Sequence, residues 1–184
     1  MTDNQPVTET PTDAINPKGS KKARNSAARL LAVQAVFQIL SNKNEQSPED
    51  AVKEFLAHRA GGFDVDGDEL VEPDKTLFKD VVIGVFNHFD QLHEMVDVNR
   101  SAGKKEAPVV DAVEGEEKTA APERPKEPLL YAHFLCGAFE LMIHQSIDAP
   151  IIINDYLHAA RAFYDDAEVK LINAVLDGVK NTTR

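Results

Sequence analysis

The sequence has little cysteine and no long apolar run, and each absence excludes a class of protein. With a single cysteine, Cys136, the chain cannot form an internal disulfide, as expected in a reducing compartment. No stretch approaches the roughly 20 apolar residues that a membrane span requires. The first 20 residues contain no apolar segment of the secretory type. We therefore expect a cytoplasmic protein with one folded domain in its 184 residues.

Positive charge is also scarce, but it is unevenly distributed. The net charge of the whole chain is −11, and this average argues against nucleic-acid binding. Between Lys18 and Arg29, however, there are five basic residues and no acid, whereas acids far outnumber bases between residues 45 and 97. Because phosphate contacts are screened within about 10 Å, an acidic protein can bind RNA if its cations share one face. The alternative of a merely solvated basic tail stays open on charge alone.

Enzyme signatures are missing as well. The sequence contains neither a phosphate-binding glycine motif, a nucleophile elbow nor an HExxH zinc helix. His88 and His93 are five residues apart, which does not align two metal ligands on one helix face. Cys136 lies in an apolar segment and is expected to be a packing residue. The acidic stretch Asp64–Glu69 fails the EF-hand register. We therefore expect no enzyme, no cofactor and no metal site.

Two stretches lack the large apolar residues that a folded segment needs. Residues 1–20 are rich in Thr, Asp, Asn and Pro and are expected to form a disordered N-terminal tail. From about Asn99 to Pro128 the chain carries four prolines and mixed charge, which indicates a flexible insertion between two folded halves. Residues 21–184 are therefore expected to form one helical domain with an insertion at about 99–128. Whether this insertion is ordered stays open.

The remaining segments show apolar residues at three- and four-residue spacing, which predicts helices. Ser47 and Pro48 are typical of a helix start, and Asp165 is expected to cap the last helix. The long segment from Asp74 to Val96 has more than one apolar stripe and is expected to be central. No hairpin signal interrupts this pattern, so the predicted class is all-α, a compact helical bundle. The expected helices cover residues 23–40, the segment from Ser47, Asp74–Val96, residues 129–142, the segment from Pro150 and the segment from Asp165.

The first predicted helix carries the basic run at its start. Arg24 and Arg29 lie toward its N-terminal end, and Lys21 and Lys22 lie just before it. Arginine offers forked donors to phosphate, lysine adds point charge, and a helix N-terminus adds backbone N–H groups. Gln34 is a candidate for contacting a splayed base of single-stranded RNA. The residues alone therefore predict a helical body with an anion-binding first helix.

Three segments together resemble the NusB family of transcription antitermination proteins. The first is AARLLAVQAVF at residues 27–37, and the second is LFKDVVIGV at residues 77–85. The third comprises GAFEL, DAP, IND and INAVLD within residues 137–177. Each segment is weakly specific alone. Their order and approximate spacing match the family except at the insertion, so the resemblance covers most of the chain.

The resemblance implies a fold of about seven helices in two packed halves. It also implies a role in processive antitermination, chiefly on rRNA operons. Members of this family bind boxA-type single-stranded RNA together with the ribosomal protein NusE, and the complex engages RNA polymerase. The expected mechanism is coupled binding without a covalent step. The oligomeric state, monomer or homodimer, stays open.

Site residues follow from the resemblance by position. Phe37, Leu130 and Phe134 are expected on the NusE side, although core packing is the alternative for Phe37 and Phe134. The last helix is expected to approach RNA near its start. The expected RNA-binding residues are Lys21, Lys22, Arg24, Arg29, Gln34, Lys170 and Leu171.

The sequence also departs from the family pattern. Asn25, Ser26 and Ala27 occupy a stretch that is often arginine-rich in the family, and Leu135 replaces a common arginine. Such changes remove phosphate contacts, so a diverged NusB-fold module that binds only protein is the alternative function. A methyltransferase that carries an N-terminal NusB-like domain is a third possibility, but it would require a longer chain.

Overall fold

The computed structural model describes residues 19–43, 45–61, 71–102 and 127–184, and these residues form seven helices and no strand. The predicted all-α class is therefore confirmed. None of the helices is both long and apolar enough to cross a bilayer within this described part of the chain. The helices are α1 (Lys21–Ser41), α2 (Pro48–His58), α3 (Lys75–Asn87), α4 (Phe89–Ala102), α5 (Pro128–Ile143), α6 (Ala149–Ala160) and α7 (Asp166–Thr183).

The helices pack as two groups. Helices α1, α2 and α3 contact one another, and α4, α6 and α7 gather around α5. The two groups join where α1 and α3 pack against α5 and where α1 contacts α6. This arrangement agrees with the two packed halves that the resemblance implies.

Helix α5 is the centre of the fold, a position that the sequence pattern assigned to the segment Asp74–Val96. Every residue from Leu130 to Leu141 is buried. Five helices surround α5, namely α1, α3, α4, α6 and α7. A helix that is apolar on all sides must be covered on all sides, which explains this central position.

The predicted long helix from Asp74 to Val96 is in fact two helices, so that prediction was wrong. Helix α3 ends with the N–H of His88 donating to the Gly84 carbonyl at 3.1 Å, and Phe89 begins α4. No proline or glycine marks the break, and the apolar pattern continues because both helices face the same core. Gly84 allows a close approach of α3 to α5, since an added Cβ would lie 2.1 Å from the Phe139 ring.

The predicted insertion also needs correction at its start. Helix α4 continues through Asn99 to Ala102, and the Asn99 amide donates to the Met95 carbonyl at 2.9 Å. Asn99 also packs against α7, because a Cβ added at Gly178 would lie 2.1 Å from Asn99 Oδ1. The rest of the predicted insertion before Glu127, the predicted tail up to residue 18 and the stretch Asp64–Glu69 lie outside the described residues.

Side-chain caps define several helix starts. Ser47 accepts a hydrogen bond from the Asp50 N–H at 3.1 Å, which confirms the predicted start of α2. Ser20 caps α1 in the same way through the Ala23 N–H at 3.2 Å. Asp165 occupies the predicted cap position of α7, but its side chain makes no capping hydrogen bond.

Candidate nucleic-acid interface

The first turn of α1 presents a small group of cations, here called the basic cluster (Lys21, Lys22 and Arg24). Both lysines are exposed and Arg24 is partly buried. No acidic residue lies in the first turn of α1. The free N–H groups of a helix N-terminus carry positive partial charge, which adds to that of the side chains. The arrangement therefore favours an anion at this end of the helix.

The segment before α3 packs against the start of α1. The Asp74 N–H donates to the Arg24 carbonyl at 3.0 Å. Val71 lies against Gly19, whose φ of +95° and missing side chain permit the contact, since an added Cβ would lie 2.8 Å from Val71 Cγ1. The N-terminal ends of α1 and α3 are therefore neighbours.

This packing places a carboxylate beside the basic cluster. Glu72 Oε1 lies 2.7 Å from Lys75 Nζ. The hydrogen bond and charge of Lys75, and then the charge of Arg24, lower the pKa of Glu72 below its ordinary value. Among the described residues, the surface around the first turn of α1 thus combines the basic cluster with the carboxylate of Glu72.

Arg29 does not belong to this surface, so its assignment as an RNA contact needs correction. Its side chain is only 2% exposed. Nε and Nη2 each donate to a Glu140 carboxylate oxygen at 2.8 Å, and Nη1 donates to Asp155 Oδ2 at 2.6 Å. The Tyr156 hydroxyl donates to Glu140 Oε1 at 2.7 Å. A buried guanidinium requires such partners, and these donors are turned inward, away from any phosphate.

His144 and Ser26 extend this set of interactions. The His144 ring contacts Glu140 Oε2 at 3.3 Å and Asp80 Oδ2 at 2.7 Å, which joins α5 to α3. The Ser26 hydroxyl donates to Asp155 Oδ2 at 2.9 Å, which joins α1 to α6. We call the seven residues the ion network. Its members are Ser26, Arg29, Asp80, Glu140, His144, Asp155 and Tyr156.

The directions of the pKa shifts in the ion network agree with charges that stabilise one another. Burial alone would raise the pKa of Glu140, but hydrogen bonds from His144 and Arg29 outweigh it and lower the pKa below its ordinary value. The hydrogen bond to Glu140 raises the pKa of His144, against the effect of burial, and Asp80 adds to the increase. The network therefore fixes α1 against α5 and α6, and through them it positions the basic cluster.

Sequence reasoning missed the ion network, although its signals are visible afterwards. Glu140 is the only acid within an otherwise apolar helix, and Arg29 is flanked by apolar residues. A charge at such a position needs a buried partner. The segments that carry the family resemblance contain Arg29, Asp80, Glu140 and Asp155, and these four residues meet in the network.

The other expected RNA contacts are spread out. Gln34 is partly exposed on α1, about 18 Å along the helix from Lys22 at 1.5 Å per residue. Lys170 and Leu171 are exposed near the start of α7. Helices α1 and α7 do not contact each other, because α5 and α6 lie between them. The structure therefore does not bring Lys170 and Leu171 into contact with the helix that carries the basic cluster.

Only one of the three expected partner contacts is on the surface. Phe37 is 37% exposed, near the C-terminal end of α1. Leu130 is 8% exposed and Phe134 is 1% exposed, so their expected place on a partner surface needs correction. Both side chains face neighbouring helices because the whole middle of α5 is enclosed. Core packing, the alternative considered for Phe134, is the correct assignment for that residue.

Reactive groups within the described residues play structural roles. Burial raises the pKa of the Cys136 thiol well above its ordinary value, so the side chain stays a neutral packing residue. The part of the chain that the structure describes contains no group of three or more His, Cys, Asp or Glu side chains able to hold a metal ion. What the geometry offers is thus a binding surface at the start of α1.

A family model described as the NusB family matches residues 26–113 and 115–181. Several similar proteins carry the name "Transcription antitermination protein NusB". That of Rhodopseudomonas palustris strain BisB18 is 31% identical over 169 residues, covering 91% of this chain and 88% of the relative. That of Rhizobium etli is 30% identical over 181 residues, covering 98% and 96%. That of Agrobacterium fabrum is 31% identical over 163 residues, covering 88% and 86%.

Proposed function

The chain belongs to the NusB family, and from this membership we propose that it is a transcription antitermination factor that binds boxA-type single-stranded RNA together with the ribosomal protein NusE. Its relatives carry the name of transcription antitermination proteins. In this proposal the protein acts chiefly on rRNA operons and enters the antitermination complex of RNA polymerase. It acts in the cytoplasm by coupled binding, with neither a covalent step nor a cofactor.

The observation that carries the RNA part of the proposal is the exposed basic cluster at the start of α1. Lys21 and Lys22 are exposed although the chain as a whole has a net charge of −11. A short, local group of cations suffices for RNA, because phosphate contacts are screened over about 10 Å. Gln34, Lys170 and Leu171 are proposed as further contacts, which an extended single strand would reach around α5 and α6.

NusE is proposed to contact the side of the molecule that carries Phe37. An exposed aromatic side chain is typical of protein interfaces, where it contributes a large apolar area. Phe37 is about 23 Å from Lys22 along α1, at 1.5 Å per residue. One helix would therefore contact RNA near its start and protein near its end.

A second candidate function is supported by two findings. The buried position of Arg29 and the presence of Glu72 beside Arg24 reduce the number of cations available to phosphate. A small number of available cations is what we expect of a NusB-fold module that binds protein but not RNA. The protein would then bind NusE equally well with or without RNA.

A salt titration of binding tests the first proposal. Labelled boxA RNA and a scrambled RNA of equal length are titrated with the protein, with and without NusE. We expect tighter binding of boxA RNA, strengthened by NusE. We also expect a linear fall of log K with log salt, with a slope of about −0.7 for each phosphate contacted on a single strand.

A matched pair of variants locates the contact. Lys22→Ala removes an exposed lysine of the basic cluster, and Lys53→Ala removes an exposed lysine of α2. We expect Lys22→Ala to reduce the salt slope by about 0.7 and Lys53→Ala to leave it unchanged. Equal slopes for both variants would overturn the assignment of the basic cluster. Binding of NusE without any RNA affinity would establish the second candidate function.

A further inference from the structure

Glu72 is a carboxylate that the described residues place beside the basic cluster. Its side chain is 32% exposed and pairs with Lys75, which is 59% exposed, at 2.7 Å. Glu72 and Lys75 lie on either side of Pro73 and Asp74, and the hydrogen bond from the Asp74 N–H to the Arg24 carbonyl holds this segment on α1. The pair is therefore held beside the basic cluster by the backbone.

Among the described residues, the other charged side chains at the starts of α1 and α3 are mostly positive. Lys21, Lys22 and Arg24 come from α1, and Lys75 is the first residue of α3. Asp74 is a second acid among the described residues here, and its Oδ1 accepts the Thr76 and Leu77 N–H groups and caps α3. Two helix N-termini thus lie side by side, and each adds positive partial charge. Of these two acids, Glu72 is the one that pairs with a side-chain cation.

We propose that Glu72 competes with RNA phosphate for Lys75, so that in the wild type the carboxylate largely keeps this lysine from contacting RNA. This inference rests on the proposed RNA-binding function. A carboxylate and a phosphate offer lysine the same kind of charged oxygen acceptor. An exposed lysine–carboxylate pair contributes little to folding, so removing the carboxylate makes Lys75 available to RNA and leaves the fold intact. Glu72 therefore lowers the affinity of the surface for RNA.

Glu72→Gln tests the inference, because it removes the charge and keeps the shape. We expect RNA affinity to rise about fivefold at 0.1 M salt and the salt slope to steepen by about 0.7, as for one added phosphate contact. Asp50→Asn is the matched control. Asp50 pairs with Lys53 at the same three-residue spacing, and it lies near Asn42 at the opposite end of α1. This control changes net charge equally and is expected to leave RNA affinity unchanged.

Lys75→Gln makes the test specific to the pair. As a single substitution, Lys75→Gln is expected to change RNA affinity by less than about twofold, because Lys75 is already paired with Glu72. In the Glu72→Gln background it is expected to remove most of the gain. Thermal unfolding of each variant checks that the fold is retained, and Glu72→Ala serves as a second variant if the first does not fold.

The outcomes distinguish the inference from the proposed function. If wild-type protein binds RNA through Lys22 but Glu72→Gln binds no better, the inference is wrong and the function stands. If Glu72→Gln binds RNA measurably better than the wild type, even from no detectable binding, the inference holds. If neither protein binds RNA, both ideas are overturned.

Discussion

Lys22 and Arg29 lie seven residues apart on the same helix, but one side chain is exposed and the other is buried. Seven residues are about two helical turns, so both side chains project from the same face of α1. Lys22 is exposed to solvent, whereas Arg29 is 2% exposed and bound by two carboxylates. Ser26, between them, already contacts Asp155 of α6. A basic face on a helix therefore divides into a binding part and a structural part where a neighbouring helix begins to cover it.

The two parts differ in what they contribute to stability. Removing one member of a buried ion pair leaves an unpaired charge, which costs about 3–5 kcal/mol. An exposed cation contributes about 0–1 kcal/mol to folding, so its loss is felt mainly in binding. Variants of the ion network should change the free energy of unfolding, and variants of the basic cluster should change RNA affinity.

Arg29→Met should have the largest effect. The substitution keeps a long side chain but leaves Glu140 and Asp155 without their cation. We expect the free energy of unfolding to fall by about 3–5 kcal/mol in urea denaturation at pH 7. Lys22→Ala is the control on the same helix face. A loss below about 1 kcal/mol for Arg29→Met would show that the network is not held by charge.

Asp155→Asn should have an intermediate effect. Asp155 accepts hydrogen bonds from Arg29 at 2.6 Å and from Ser26 at 2.9 Å, and it is partly exposed. An amide keeps one acceptor oxygen but loses the charge, so we expect a loss of about 1–3 kcal/mol in urea. Ser26→Ala should cost less, because Arg29 keeps its partner. If Ser26→Ala costs as much as Asp155→Asn, the hydroxyl rather than the ion pair joins α1 to α6.

His144→Gln should give a smaller effect that depends on pH. The folded protein raises the pKa of His144 above its unfolded value of about 6.5. The stability from the protonated ring is therefore fully present below about pH 6.5 and is lost as pH rises through the folded pKa. We expect the wild type to exceed His144→Gln by about 1 kcal/mol near pH 6, with a smaller difference at alkaline pH.

Urea unfolding at several pH values measures this difference directly. Burial lowers the pKa of His133, which has the opposite dependence, but His133 is present in both proteins and cancels. Asp80→Asn should reduce the pH-dependent part, because Asp80 is the exposed partner of His144. A difference that stays constant from pH 6 to pH 9 would contradict the role of the protonated ring.

Lys22→Ala should have the smallest effect on folding. A lysine in the first turn of a helix opposes the helix dipole, so its removal should change the free energy of unfolding by less than about 0.5 kcal/mol. The same variant should reduce RNA affinity about fivefold at 0.1 M salt. A variant that lost stability and RNA affinity together would erase the distinction between the two parts of the helix.

Some features of the fold follow from local sequence and some do not. The spacing of apolar residues predicted the helices, and Ser47 predicted the start of α2, because both signals act within a few residues. The break at His88 had no such signal, since α3 and α4 turn apolar faces to the same helix. The central position of α5 is visible in its composition, but it was assigned to the segment Asp74–Val96, which is also apolar on more than one side.

In the candidate site, too, some features follow from local sequence and others depend on how the helices pack. Lys21, Lys22 and Arg24 are neighbours in sequence, so one helix turn is enough to gather them. The burial of Leu130 and Phe134 depends on which helices surround α5, and composition alone does not identify those neighbours. Phe37 and Phe134 are both aromatic residues in apolar stretches of their helices, yet only Phe37 reaches the surface.

Sequence alone determined that this chain is helical and where its cations cluster, because helix formation and capping depend on residues a few positions apart. Tertiary structure decided which of those cations face solvent. Arg29 is held by Glu140, 111 residues away, and by Asp155, 126 residues away, and the Glu72–Lys75 pair lies beside α1 because the segment before α3 packs on that helix. Charge pairing acts through space, so it was decided only when packing brought distant segments together.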